Sequence, residues 1–110
     1  ETPTLSTEVI LGKTTIITRT ASGFVPKDVT IAKGDTVVFE NESTDPMWPA
    51  SDPHPAHTTY PVGGGCKASA FDACKAIAPG GSWSFTFDTV GSWKFHDHFS
   101  SQFKGSVIVQ

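Results

Sequence analysis

The chain carries four histidines, all in two short clusters, His54-Pro55-Ala56-His57 and His96-Asp97-His98. A domain of this size does not need histidine to fold, whereas the neutral imidazole is the commonest protein metal ligand. Two close pairs with no stray histidine point to one metal site built from two segments. An all-imidazole donor set suits Cu(II) in tetragonal geometry or Zn(II) in a tetrahedron, and the Irving–Williams order makes Cu(II) the tighter binder. The competing reading, ordinary surface histidines, is weaker for the two pairs together than for either alone. Asp97, Asp52 and Asp72 are candidate acceptors for the imidazole N–H groups, with Asp97 also placed to turn inward as a satisfied polar group. Met47 is either a soft axial ligand or a gap-filling apolar contact. Trp48 and Tyr60 flank the histidine loop, to pack it down, shield the metal or relay electrons. No Ser/His/Asp or Cys/His arrangement and no paired carboxylates are evident. No catalytic residue is therefore assigned, and whether the protein is an enzyme stays open.

The elements that must hold these residues read as strands. Glu8 to Leu11 and Thr14 to Thr20 are rich in Val, Ile and Thr, and Val29-Thr30-Ile31 leads into a Lys33-Gly34-Asp35 turn. Thr36 to Asn41 follows with Val37 and Phe39 on one face. Trp83, Phe85 and Phe87 alternate with small polar residues, as do Trp93 and Phe95, and Ser106 to Val109 closes the chain. Period-2 alternation punctuated by Gly and Pro predicts an all-β, antiparallel sandwich or barrel. His96 and His98, two apart at a strand end, share a face opposite Trp93, Phe95 and Asp97. They are expected to point away from the interior, towards a surface or a covering loop. His54 and His57 sit on a turn stiffened by Pro55. Replacing His96 or His98 is expected to cost more affinity than replacing His57, because a strand fixes them.

At 110 residues the chain is predicted to be a single domain, 1–110, whose 8 Phe and 3 Trp supply core bulk. A net charge of −3 without a basic run argues against nucleic acid. No apolar stretch approaches the ~20 residues of a membrane span. No signal peptide is visible, and a sequence starting at Glu1 is compatible with a processed or trimmed form. Between about 42 and 79 the strand pattern lapses into a Pro- and Gly-rich loop. A loop of that length is usually functional or disordered, and Trp48, Tyr60 and Phe71 favour an ordered one. Cys66 and Cys74 lie within it, as a disulfide, as free thiols or as thiolate ligands; the spacing does not fit a CxxC motif. A disulfide would imply an extracytoplasmic location, periplasmic, secreted or at the cell surface.

These segments resemble the cupredoxins. Phe24-Val25-Pro26, Val29-Thr30-Ile31 and Gly34 to Asn41 match their opening strands; Pro79 to Phe87, Gly91 to Phe95 and Gly105 to Val109 match the later ones. The resemblance implies a Greek-key, plastocyanin/azurin-like β-sandwich over about 24–109, broken by the long loop, which a Cys66–Cys74 disulfide would staple. The family's blue-copper ligands do not carry over. Asp97 stands where the ligand cysteine would be, Ser100 near the later histidine, Phe103 near the methionine, and Trp48 in the region of the first histidine. Without a thiolate no type 1 copper forms. Gly91 to Gln102 and His54-Pro55-Ala56-His57 instead resemble the Gly-Thr-Tyr-x-Tyr-His-Ser-His and His-Pro-x-His motifs of multicopper oxidases. Those clusters need eight histidines, so four imply a mononuclear site, or one completed across a homo-oligomer interface.

The expected function is that of a copper-binding, cupredoxin-like protein holding Cu2+/Cu+ with His54, His57, His96 and His98, in copper binding, delivery or electron transfer with a redox partner protein. The alternatives are a copper-dependent redox enzyme, superoxide dismutase-like or oxidase-like, and a structural zinc site.

Overall fold

The structure, a computed structural model, describes residues 12–110. The expected strand at Glu8 to Leu11 lies outside the described residues. Eight strands follow: β1 (Thr14–Thr20), β2 (Gly23–Val25), β3 (Asp28–Ile31), β4 (Thr36–Asn41), β5 (Pro49–Ser51), β6 (Ser82–Thr86), β7 (Gly91–Asp97) and β8 (Ser100–Val109). They form two four-stranded sheets, ordered β2-β1-β4-β6 and β3-β8-β7-β5. The all-β sandwich expected from the alternation is the one observed. Among the described residues no helix is long and apolar enough to cross a membrane.

Both sheets are mixed rather than antiparallel. β1 pairs in parallel with β4, and β3 in parallel with β8. The chain leaves β1 through β2, crosses to the other sheet as β3 and returns as β4, so β4 runs alongside β1 in the same direction. Alternation reveals which face of a strand is buried but not which strand lies beside it. The last strand also begins earlier than its apolar run: β8 starts at Ser100, making β7–β8 a hairpin with His98 and Phe99 at its turn.

Inward-facing residues of both sheets fill the core. Ile17, Val37, Phe39, Phe87, Phe95 and Val107 are fully buried. Phe39 and Phe95 meet edge-to-face with centroids 5.2 Å apart, a preferred arrangement for aromatic quadrupoles.

The long loop is ordered by the same core. Phe71 and Tyr60 are 0% and 2% exposed and plug into it. Tyr60 lies edge-to-face against Phe85, Phe87 and Trp93. Short backbone bridges join Met47 to Ile77 and Ala50 to Asp72. At the loop's root the Asn41 side-chain amide donates to the carbonyls of Asp45 and Ile77. Of the three readings of the cysteines the disulfide is the one formed: Cys66 and Cys74 are bonded, with Cα atoms 5.7 Å apart. The loop-closure argument gives such a short bridge about 2–3 kcal/mol. The Cys66→Ser, Cys74→Ser double variant is expected to unfold at correspondingly lower denaturant, in an equilibrium titration followed by Trp fluorescence.

Candidate metal centre

Two elements carry the site. The β7–β8 hairpin presents His96 and His98. The turn that leaves β5, residues 52–57, folds over them and presents His54 and His57. Phe95 faces the core and alternation turns His96 to the other face, where the turn covers it: His96 is 0% exposed. The expected outward-facing histidine is thus buried by the covering loop. His98 lies one residue beyond β7, in the hairpin turn rather than on the strand, and its N–H donates to the Trp48 carbonyl. His57 is also 0% exposed. Its backbone is left-handed, φ 57°, an unusual state for a non-glycine residue that concentrates at functional sites. The His57 N–H on the Pro53 carbonyl and the Ser69 N–H on the His57 carbonyl hold it there.

The four side chains converge within one chain, their candidate ligand atoms all within 4.8 Å of one another. The rings form a quadrilateral. Its edges are His54–His96 at 5.3 Å, His96–His57 at 4.9 Å, His57–His98 at 4.9 Å and His98–His54 at 4.8 Å between centroids. Its diagonals are His54–His57 at 6.3 Å and His96–His98 at 6.5 Å. The diagonals exceed the edges by roughly three-tenths, against about four-tenths for a flat square and nothing for a regular tetrahedron.

Two carboxylates orient two of the rings. His57 Nδ1 lies 2.7 Å from Asp72 Oδ2, and His96 Nδ1 lies 2.8 Å from Asp52 Oδ1. Each contact turns the other nitrogen, Nε2, towards the centre of the cluster. His57 Nε2 lies 3.1 Å from His98 Nδ1, close to the ~3 Å separating neighbouring donors around one ion at about 2.0–2.1 Å. His96 Nε2 is buried without a hydrogen-bond partner among the described residues. Buried polar nitrogens are seldom left so, and a metal ion at the centre would satisfy this one. The donor set therefore fits Cu(II) or Zn(II). Burial pushes the His96 imidazole below its ordinary pKa, against the opposing pull of Asp52. Burial, then the neighbouring His57 and His54, does the same to His98. Both rings are held neutral, the form that binds metal.

Asp72 joins the site to the loop. Its Oδ1 accepts the Trp48 indole N–H at 2.6 Å and the Cys74 N–H at 2.9 Å. Trp48 also lies over His98, with centroids 4.4 Å apart. An outer carboxylate of this kind typically contributes 10–100-fold to metal affinity. Asp72→Ala is accordingly expected to weaken Cu(II) binding by about 10–100-fold in a chelator competition.

Other candidates lie elsewhere. Tyr60 is a core residue whose hydroxyl accepts the Asp88 N–H, away from the imidazoles. Met47 is buried in the core cluster. Asp97 turns inward and touches no imidazole: Oδ2 accepts from Arg19 Nε at 2.9 Å, while Oδ1 accepts the N–H groups of Trp48 and Phe99. It thus fixes the backbone on both sides of the site. Arg19 carries no motif, but alternation places it on the same inward face as Ile17, and a cation there requires a buried anion. The expected ranking of the histidines also shifts. His57 is as buried and anchored as His96, and the loosely held ring is His54.

The model of the family described as "Copper binding proteins, plastocyanin/azurin family" matches residues 13–110. The chain belongs to this copper-binding family. No curated protein sequence matches it. Among solved structures it is similar to a purple cupredoxin from Nitrosopumilus maritimus, at 19% identity over 87% of this chain and 99% of that one, TM-score 0.69. It is similar to amicyanin from Paracoccus versutus at 18% identity over 88% and 81%, TM-score 0.66. A mutant fern plastocyanin gives 22% identity over 86% and 99%, TM-score 0.65. These likenesses establish the cupredoxin fold. Both cysteines of this chain are in the disulfide, so no thiolate remains for a type 1 centre.

Proposed function

We propose that the protein holds one copper ion with His54, His57, His96 and His98, and serves in copper binding, delivery or one-electron transfer outside the cytoplasm. The observation that carries this reading is the buried, partnerless His96 Nε2 at the centre of four converging imidazoles. Family membership supports copper as the ion. The flattened quadrilateral favours tetragonal Cu(II) over tetrahedral Zn(II). The Cys66–Cys74 disulfide supports an oxidising compartment. Copper would supply a Cu2+/Cu+ couple; the protein's part is to hold the imidazoles around it and to keep His96 and His98 neutral.

Competition between Cu(II) and Zn(II) under a common chelator tests the choice of metal. Copper is expected to win, and preferential zinc uptake with a large thermal stabilisation would return the site to a structural role. The pH dependence has a definite sign. Because His96 and His98 titrate below the ordinary value near 6.5, affinity is expected to hold at neutral pH, fall as pH drops below that value, and vanish by about pH 4. Full retention at pH 4 would require carboxylate ligands instead.

A further inference from the structure

The four imidazoles are not equivalent. His57 and His96 are fully buried, and each has its Nδ1 on a carboxylate. His98 is partly buried beneath Trp48, its backbone fixed by the Trp48 carbonyl. His54 differs on each count. It is exposed, as are its neighbours Pro53, Pro55 and Ala56. Among the described residues its ring makes no hydrogen bond, and its ring neighbours are the other three imidazoles. It occupies a corner of the quadrilateral, opposite His57, so its withdrawal would open the cluster on the solvent side.

From this asymmetry, and resting on the four-histidine copper reading, we infer that His57, His96 and His98 form a fixed three-nitrogen bowl and that His54 is an exchangeable fourth ligand, its position being the port where a small monodentate anion reaches the metal. The three anchored rings keep their places without the metal. His54 must be ordered when it binds, and that ordering cost, which the other three do not bear, makes it the easiest donor to displace.

Azide is a suitable probe, added to the Cu(II)-loaded full chain and followed by charge-transfer absorption and by the count of imidazole nitrogens in pulsed EPR. In the wild type, azide is expected to lower that count from four to three. His54→Ala is expected to retain one equivalent of Cu(II), within about tenfold of wild-type affinity, and to bind azide about tenfold more tightly. His54 is exposed, so the variant should unfold with the wild-type apo profile. Azide binding that leaves four nitrogens in place, or a His54→Ala loss of copper as large as that of His96→Ala, would overturn the exchange port while leaving the four-histidine site intact. Failure of the wild type to bind one Cu(II) through imidazoles would remove both.

Discussion

His96→Ala lowers Cu(II) affinity by at least about 100-fold, a loss far larger than that expected for His54→Ala. Three features set this ranking. β7 fixes the backbone of His96, Asp52 fixes the ring with a 2.8 Å contact to Nδ1, and burial leaves Nε2 with no alternative partner. In the wild type, ordering this donor costs almost nothing on binding, so its removal loses nearly the whole metal–nitrogen interaction. Asp52→Asn, which leaves the ring present but weakens its anchor, is expected to lose about tenfold. Chelator competition at pH 7 measures both. A His96→Ala loss no greater than that of Asp52→Asn would mean that His96 is a buried core histidine and not a ligand.

Asp97→Ala destabilises the fold by about 3–5 kcal/mol, the usual cost of breaking a buried ion pair by removing one partner. Arg19 and Asp97 side chains are 2% and 0% exposed, so water does not replace the lost partner. The Arg19 guanidinium would keep its place over the Phe103 ring, 4.3 Å from the centroid, and its contact with the Thr20 carbonyl. Its charge would still be uncompensated. Two further donors, the Trp48 and Phe99 N–H groups, would lose their acceptor. In a domain of this size the effect is a fall in Tm of more than about 10 °C. Since Trp48 and Phe99 lie against the imidazole cluster, the same variant should also weaken copper binding when assayed well below its Tm. A Tm within about 2 °C of wild type would show that the pair contributes little net stability.

What was legible in the sequence follows from how local each signal is. His54, His57, His96 and His98 stood out by residue type and spacing, and the structure brings them together. Thr14–Thr20 and Thr36–Asn41 were readable because alternation is a property of a few neighbouring residues. The sheet order was not, since β1∥β4 and β3∥β8 depend on crossovers that periodicity does not encode. The carboxylates show the same limit. Asp52, Asp72 and Asp97 were all candidates by proximity in sequence, yet Asp52 meets His96 across 44 residues and Asp97 meets Arg19 across 78. Which of them faces an imidazole is decided by how the long loop folds back on β7. Tyr60, adjacent to the histidine loop in sequence, belongs to the core because Phe85, Phe87 and Trp93 offer it an apolar wall.

The central claim is that one copper ion sits among four imidazoles. A Cu(II) titration of the apoprotein, read by visible absorption and pulsed EPR, tests it most directly. The result predicted is one equivalent bound, a weak d–d band with no intense blue absorption, and a type 2 signal carrying the hyperfine pattern of four imidazole nitrogens. Two coupled, EPR-silent coppers, or no Cu(II) binding beside tight Zn(II) uptake, would contradict it.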